Sequence, residues 1–597
     1  MTVHSDQIRC MHACPTQQTD PSSEQTGPYD DDNGGLVDIS GEWIQRSIEM
    51  APSLAASLLH QLTLVIAPLS CFLLILHLLA ANKRPAPPQH RDGRARLLPP
   101  SPPGLLPVLG HLHLLGSLPH RALRSLARAH GPVLLLRFGR VPTVLVSSAA
   151  AAEEVMRTRD LAFASRPRSA LADRLLYGRD VAFAPYGEYW RQARRVCVLH
   201  LLSARRVLSF RRVREQEAAA LVARVRAQAS AAAPVDLSAL LTEYANAVVS
   251  RAAFGDECAR ALLGGADRCR QVRDALTDFQ TLLGTAPVGE LLPWLGWVDA
   301  VRGMEGRIRR TFEALDGLLE KVIDDHRRRR RTHSRQQSGD DHLDLVDVLL
   351  DVHNMDEEHA GVQQLETNEI KAIILDMFAA GTDTVTTAME WAMAELITHP
   401  AAMHKVQAEV RAVAAVGSTV RGAATVEISE ADVAQLHYLR AVIKETLRLH
   451  PPLPLLVPRE PPADAEILGH HVPAGTRVVV NAWAIGRDPA AWGEDAEAFA
   501  PERFAAADVE FRGQHFELVP FGAGRRACPG VGFAEAGIEM ALASLLCHFD
   551  WEAPAAGPGG GKGALDMSEV NGLAVHIKSG LSLLATPWMP SFRSLDV

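Results

Sequence analysis

The chain has 597 residues, of which 47% are hydrophobic and 22% are charged, as is typical of a globular protein with a large core. Its net charge is −9, but residues 1–50 contain nine acidic and two basic side chains and so carry −7 of that total. The remainder is nearly neutral, which argues against a nucleic-acid-binding protein. Eight scattered cysteines without a CxxC spacing exclude a zinc ribbon and a dense disulfide framework.

The first hundred residues form three segments of different composition. Residues 1–50 are polar and acidic, which predicts a disordered tail; we expect residues 1–49 to be an extension upstream of a start at Met50, or a rarely used tail. Residues 51–82 contain no charged side chain and exceed the roughly 20 residues that a membrane span needs, so they are the expected transmembrane anchor. Residues 83–104, with five bases and one acid, predict a basic, proline-rich hinge that places the following chain in the cytosol.

From residue 105 the pattern is mainly helical. Two β-like runs, Val133–Phe138 and Thr143–Ser147, predict a hairpin around a turn at Gly139–Pro142. Helices are predicted at Ala204–Ser230, Gly303–Arg331, Asn368–His399, Asp432–Leu449 and Val531–Phe549. The third of these would be roughly 48 Å long, and its apolar faces suggest that it crosses the centre of one large core.

The expected fold class is therefore mainly α, in the α+β sense, with small β-sheets and a single large helix-rich domain over residues 105–597. An N-terminal transmembrane helix would precede this domain. The arginine run Arg327–Arg331 and the Gly/Pro-rich stretch Ala553–Gly563 are expected to be solvated loops.

The strongest chemical signal is FGAGRRACPG at residues 521–530, a glycine-rich loop that delivers Cys528 to the start of an apolar helix. Backbone N–H groups and the positive end of the helix favour a thiolate at Cys528. Arg526 adds a cation that can pair with a ligand carboxylate. Gly524 and Gly530 permit a turn and a close approach that a side chain would block.

This loop resembles the heme-binding signature FxxGxRxCxG of the cytochrome P450 family. The resemblance implies that Cys528 is the metal ligand, which holds the iron of heme b through its thiolate. It also implies that Phe521, Gly524, Arg526 and Gly530 belong to the cofactor-binding loop.

A second motif lies in the longest predicted helix, where AGTDT occupies residues 380–384. The Thr384 hydroxyl can bond back to a helix carbonyl, so the helix can loosen there and open a groove. An acid and a hydroxyl beside that groove can deliver protons. In the family these positions do so during oxygen activation, which makes Asp383 and Thr384 the candidate catalytic residues.

The remaining motifs also occur in the order that the family shows. KETLRLHPP contains Glu445 and Arg448 on one helix face, and PERF contains Arg503. In the family such residues form a buried Glu–Arg–Arg network with a structural role. Trp190 and Arg194, four residues apart, resemble a pair that binds a heme propionate, and Arg459 resembles another propionate contact.

The resemblance covers roughly residues 97–590 and is strongest to plant A-type microsomal members, through PFGAGRRACPG, KETLRLHPP and FAPYGEYWRQARR. Val385 departs from the Thr or Ser that is common after Thr384, which puts a secondary hydrogen bond of the proton path in doubt. By analogy the substrate-contact positions are mostly aliphatic, which favours a small apolar substrate. These positions are Ala380, Thr384, Leu455–Val457, the loop Leu171–Phe183 and Asn571–Leu573.

The predicted function is that of a monooxygenase that inserts one atom of O₂ into a small, largely apolar organic molecule. The resemblance alone implies that this molecule belongs to plant specialised metabolism. No flavin or nicotinamide motif is visible, so electrons from NADPH are expected to arrive through a separate NADPH–cytochrome P450 reductase. The expected location is the endoplasmic reticulum membrane, crossed once, with the catalytic domain on its cytosolic face. Two alternatives remain: a heme-thiolate isomerase or dehydratase, and a heme-binding sensor without turnover. Asp383 and Thr384 argue against both.

Overall fold

The structure is a computed structural model, and it describes residues 62–71, 97–230, 233–263, 266–332, 344–354, 364–421, 426–506, 509–554 and 565–589. The chain divides into two units, residues 1–84 and 85–597. In the first unit Leu62–Cys71 is a short apolar helix, which lies within the expected anchor. The expected acidic tail and most of the anchor and hinge lie outside the described residues.

The body is helix-rich, as predicted. Its longer helices are Pro119–His130 (α1), Glu188–Val196 (α2), Arg211–Ala229 (α3), Leu237–Leu263 (α4), Ala266–Leu283 (α5), Met304–Thr332 (α6), Leu345–Asn354 (α7), Thr367–Thr398 (α8), Pro400–Arg421 (α9), His437–Leu449 (α10) and Val531–His548 (α11). Short α-helices are Ala149–Glu153, Ala170–Leu175, Ala204–Ser209, Val288–Leu291, Gly296–Val301, Glu430–Val433, Ala482–Ile485, Pro489–Trp492 and Arg503–Ala506. Single turns of 3₁₀ or π type occur at Leu112–Leu114, Glu154–Thr158, Cys197–Leu201, Pro293–Leu295 and Gly524–Arg526.

The strands form four small sheets. They are Val133–Phe138 (β1), Val141–Val146 (β2), Val235–Asp236 (β3), Ala465–Ile467 (β4), His470–Val472 (β5), Arg477–Val480 (β6), Phe549–Glu552 (β7), Glu569–Asn571 (β8), Val575–Ile577 (β9) and Ser582–Pro587 (β10). The sheet orders are β1-β2-β6, β3-β10-β7, β4-β5 and β8-β9, and β2 runs parallel to β6. The hairpin β8–β9 is important below because it lies against α8.

Helix α8 crosses the core, as the sequence predicts. A capping box joins Glu366 and Glu369 at its start. Its side chains are buried on nearly all faces from Glu369 to Leu396, and it packs against α4, α10 and α11. Pro400 begins α9, so the chain changes direction there because proline fits the first helical turn but not the interior.

Two predicted helices are in fact interrupted. The helix predicted over 204–230 breaks at the buried Phe210, whose ring packs edge-on against Phe533. The helix predicted over 432–449 is split, because the Ser429 and Asp432 side chains form a capping box around the short helix Glu430–Val433 and the buried Leu436 is extended. Local helical periodicity does not reveal such breaks, since tertiary packing causes them.

Two further local predictions are wrong. Arg327–Arg331 is not a loop but part of the last turns of α6, because Arg330 pairs with Asp347 and Asp351 of α7 at 3.2 and 2.8 Å. The turn of the first hairpin is limited to two residues, and Pro142 already belongs to β2. Gly139 permits this tighter turn with a φ of +58°. Most of the predicted loop Ala553–Gly563 lies outside the described residues.

Candidate active site

Cys528 is presented by a tight backbone loop just before α11. Its N–H donates to the Phe521 carbonyl at 2.9 Å, and Gly524–Arg526 forms a single 3₁₀ turn. Gly524 has a φ of +69°, and a Cβ at this position would lie 1.8 Å from the backbone oxygen of Met156. Only glycine therefore fits there, which explains the glycine of the motif by close approach of two backbone segments.

A cavity of about 260 Å³ lies between α8 and this loop. It brings together side chains from distant parts of the sequence that the motifs singled out. These are Trp190, Arg194, Thr384, Arg459, Phe521, Arg526, Cys528 and Gly530. Gly524 shapes the loop without lining the cavity, and Asp383 is also outside the lining.

Burial affects the thiol of Cys528 in a way that the sequence did not predict. Burial raises the pKa of Cys528, and the backbone hydrogen bond at Gly530 and the field of Arg194 oppose this rise only in part. The backbone N–H groups of the loop do lower this pKa, as expected, but burial outweighs them. A coordinating metal deprotonates a thiol directly, so iron would supply the missing positive charge.

Four arginines gather at one side of the cavity: Arg166, Arg194, Arg459 and Arg526. In the part of the chain that the structure describes, none of them forms an ion pair with a carboxylate within 4 Å. Burial lowers the pKa of Arg526 to about 9 and that of Arg459 to about 10. Such a group of cations is costly unless an anion joins it. Two propionates beside a cysteine ligand meet that requirement, so these residues fit heme b.

Arg526 is fixed by backbone oxygens. Its guanidinium donates to the carbonyls of Ala164, Val181 and Ala184 at 2.7, 3.1 and 2.5 Å. The Trp190 ring lies 4.0 Å from it, in a cation–π contact. The indole N–H of Trp190 donates to the Val181 carbonyl at 3.0 Å. In this structure Trp190 thus supports Arg526 and the loop before α2, and its N–H has a partner other than a propionate.

Thr384 and Asp383 are adjacent in sequence but face different surroundings. The Thr384 hydroxyl lines the cavity and donates to the Ala380 carbonyl at 2.5 Å. The expected back-bond is therefore present, although α8 remains α-helical across residues 380–384. Asp383 instead faces the hairpin β8–β9, where His576 and the N–H of Ala574 contact its two oxygens at 2.9 and 3.2 Å. The sequence did not indicate His576, since a lone histidine carries no motif.

Glu445, Arg448 and Arg503 meet as a buried network. Arg448 makes two hydrogen bonds to the Glu445 carboxylate, at 2.7 and 2.8 Å, and Arg503 adds a third at 2.9 Å. The side chains of Glu445 and Arg448 are 0% exposed. Arg448 also donates to the carbonyls of Gly486, Ala496 and Ala498, which ties α10 to the segment leading to the Cys528 loop.

The substrate-contact positions that the resemblance implied are only partly in the cavity. Ala380, Thr384, Leu456, Val457 and, from the loop Leu171–Phe183, Val181 and Ala182 line it. Leu455 packs instead against the cluster around β1. The cavity lining does not include Asn571–Leu573.

Two functional candidates in the lining were missed. Asp376 accepts the N–H groups of Val181 and Ala182 at 2.5 and 3.3 Å, and burial together with the nearby Asp180 raises its pKa well above the ordinary value. Arg166 donates to the carbonyls of Val457 and Pro458 at 2.6 and 2.9 Å. An acid inside an apolar helix was a visible signal for the former, whereas no motif indicated the latter.

Known proteins share this architecture and these motifs. The family model described as Cytochrome P450 matches residues 99–559. Cytochrome P450 71A1 of Persea americana is 49% identical over 477 residues, which cover 80% of this chain and 91% of that protein. Norfluorocurarine oxidase of a Strychnos species is 44% identical and covers 81% of this chain and 91% of its own length. A zebra fish cytochrome P450 solved with progesterone has a TM-score of 0.63 at 25% identity, and covers 79% of this chain and 99% of its own.

The chain therefore belongs to the cytochrome P450 family, and is a heme-dependent monooxygenase. Its plant relatives mark it as an A-type member, which confirms the resemblance found in the sequence.

Proposed function

We propose that this protein inserts one oxygen atom of O₂ into a small, largely apolar organic substrate of plant specialised metabolism. The observation that carries the proposal is the cavity that joins Cys528, the group of arginines and Thr384 beside an aliphatic wall. Heme, when bound, supplies the redox chemistry that activates O₂. Electrons come from NADPH through a separate NADPH–cytochrome P450 reductase, and membership of the family supports such a partner.

The chain's own residues hold and orient the cofactor. Cys528 is the metal ligand, and its loop fixes the sulfur at the start of α11. Arg194, Arg459 and Arg526 bind the propionates, since they are cations at the cavity wall that pair with no carboxylate among the described residues. Trp190 keeps the guanidinium of Arg526 in place through the ring contact.

Thr384 and Asp383 deliver protons. The Thr384 hydroxyl is a polar group that α8 presents to the cavity; it donates to the Ala380 carbonyl and can accept a hydrogen bond from the cavity side. Asp383 lies in the same turn, on the face of α8 that contacts the hairpin β8–β9, and 15% of its side chain is exposed. The pair can thus carry protons from solvent towards the cavity.

The cavity wall favours an apolar substrate. Aliphatic side chains such as Val181, Leu453, Leu456 and Val457 form much of its lining. One relative is named as an oxidase of norfluorocurarine, and this supports an organic metabolite as the substrate class.

The protein is further proposed to be anchored in the endoplasmic reticulum membrane by residues 51–82, with the body on the cytosolic face. The apolar helix Leu62–Cys71 and the basic hinge that follows support this placement. Another helix, Val531–His548, is apolar and long enough to cross a membrane, but 61% of it is buried within the body. It is a core helix.

The test is turnover with labelled oxygen. The purified protein is first screened against metabolites by substrate-induced shifts of the heme spectrum, and the binders are then incubated with reductase, NADPH and ¹⁸O₂. We expect one ¹⁸O atom in the product. An isomerase or dehydratase would form product without label, and a sensor would consume no NADPH, so either result would contradict the proposal.

A matched pair of variants tests the proton role of the hydroxyl. Thr384→Val keeps the shape but removes the hydroxyl, and we expect product formation to fall on the order of 10²-fold. Thr384→Ser keeps the hydroxyl and should stay within about threefold of the wild type. Equal activity of both variants would show that the hydroxyl is dispensable.

A further inference from the structure

The carboxylate of Asp383 is held by the C-terminal hairpin β8–β9. Nε2 of His576 lies 2.9 Å from Oδ1 of Asp383, and the N–H of Ala574 donates to Oδ2 at 3.2 Å. On the other side of the imidazole ring, Nδ1 lies 3.2 Å from a carboxylate oxygen of Glu390 and 3.2 Å from the Thr387 hydroxyl. Both ring nitrogens of His576 therefore face a carboxylate of α8.

This arrangement favours the charged imidazolium. Burial opposes a positive charge, but the hydrogen bonds to Asp383 and Glu390 outweigh it and raise the pKa of His576 to about 10. A neutral ring has one N–H and can serve only one of the two carboxylates, whereas the imidazolium donates to both. On β8 the neighbouring Glu569 is occupied by His120 and Arg121, so it does not compete for the ring.

The hairpin itself is fixed, so His576 has a fixed position relative to α8. Trp391 of α8 donates through its indole N–H to the Val575 carbonyl at 2.9 Å. The N–H of Val575 donates to the Pro452 carbonyl at 3.0 Å, close to cavity residue Leu453. At the other strand, Glu569 accepts from Arg121 at 2.7 Å. The imidazolium is therefore held by contacts that do not involve Asp383.

We infer that His576 is a positioning residue for proton delivery: it orders the carboxylate of Asp383 on the face of α8 that contacts the hairpin β8–β9. With His576 and Ala574 on its two oxygens, Asp383 has a defined orientation next to Thr384. Without the imidazolium, one oxygen loses its partner and the side chain can rotate among several orientations. The inference rests on the proposed role of Asp383 in proton delivery.

The experiment compares His576→Gln with a control that loosens the same hairpin elsewhere. Glu569→Gln weakens the attachment of β8 to α1 but leaves the contact between His576 and Asp383 intact. Hydrogen–deuterium exchange of residues 569–577 measures the loosening, which we expect in both variants. The carbon monoxide spectrum of the reduced protein establishes that each variant retains the native heme environment.

Proton delivery is measured as hydrogen peroxide and product formed per NADPH, together with the solvent isotope effect on product formation. In His576→Gln we expect product per NADPH to fall by about tenfold and hydrogen peroxide per NADPH to rise, because the proton donor is misplaced. For the same reason the solvent isotope effect on product formation should grow by about twofold. Glu569→Gln should keep the wild-type ratios. If His576→Gln does not retain the native heme environment, the variant Glu390→Gln is tested in its place. We expect Glu390→Gln to lower product per NADPH by about threefold.

The results separate the inference from the proposed function. If Asp383→Asn diverts NADPH to peroxide but His576→Gln or its replacement behaves like Glu569→Gln, His576 is only a tether and the inference is overturned. If Asp383→Asn itself remains fully coupled, the proposed proton role of Asp383 fails, and the positioning role fails with it.

Discussion

Replacing Glu445 by glutamine removes the negative charge that faces Arg448 and Arg503 in the core. The carboxylate accepts four hydrogen bonds, two from Arg448, one from Arg503 and one from the N–H of Ala500. Glutamine has nearly the same volume, so no cavity forms, but its NH₂ group would face guanidinium donors. Breaking one side of a buried ion pair costs about 3–5 kcal/mol. For a domain of this size that corresponds to a fall of about 3–5 °C in the unfolding midpoint.

The assay is thermal unfolding of the heme-loaded protein, with the heme content measured after purification. Asp324→Asn is the matched control, because Asp324 pairs with Arg327 at the same three-residue spacing, at 3.9 Å, but 54% of its side chain is exposed. Exposed pairs contribute about 0–1 kcal/mol, so this variant should melt within about 1 °C of the wild type. If Glu445→Gln melts together with the control and retains its heme, the network does not stabilise the core as argued.

Three further changes have defined outcomes. Gly524→Ala should cost at least about 3 kcal/mol and lower the heme content, because its Cβ would collide with a backbone oxygen. Gly532→Ala on α11 should not destabilise, because its Cβ would meet no atom of the described residues within 4 Å outside its own helix backbone and its chain neighbours. Asp376→Asn should keep an unfolding midpoint near that of the wild type, since the pKa of this carboxyl is already raised and an amide oxygen still accepts N–H groups. Asp376→Ala leaves the buried N–H of Val181 and the half-buried N–H of Ala182 without this partner, and the buried one should cost about 1–3 kcal/mol. The pKa of His576 is raised to about 10, so its charge should stabilise the folded protein. This contribution to the free energy of unfolding is fully present below about pH 6.5 and is lost as the pH rises towards 10. It amounts to at most about 5 kcal/mol. Denaturant unfolding of wild type and His576→Gln from pH 6 to 10 measures this difference, and a gap that stays constant with pH would contradict it.

The helical body and the motif residues could be predicted because their signals are local. Helix α8 has the predicted length within a residue at each end, since its apolar run, capping residues and Pro400 are all adjacent in sequence. The Cys528 loop could likewise be recognised from ten consecutive residues. Local signals of this kind require no knowledge of the packing.

The remaining features depend on contacts between distant segments. His576 and Asp383 are 193 residues apart. Neither their contact nor the orientation of Asp383 towards the hairpin β8–β9 could therefore be predicted from AGTDT alone. The raised pKa of Cys528 has the same origin, because its burial depends on the whole core. The predicted helix Gly303–Arg331 already reached the arginine run, but the pairing of Arg330 with acids on α7 appears only in the folded chain.

The most direct test of the central claim is the carbon monoxide spectrum of the reduced, heme-loaded protein. Thiolate ligation by Cys528 predicts a Soret band at the long wavelength that distinguishes a thiolate from other axial ligands. Cys528→Ala should lose this band, because no other cysteine lines the cavity within the described ranges. An absent band in the wild type, or an unchanged band in Cys528→Ala, would contradict the assignment of Cys528 as the iron ligand.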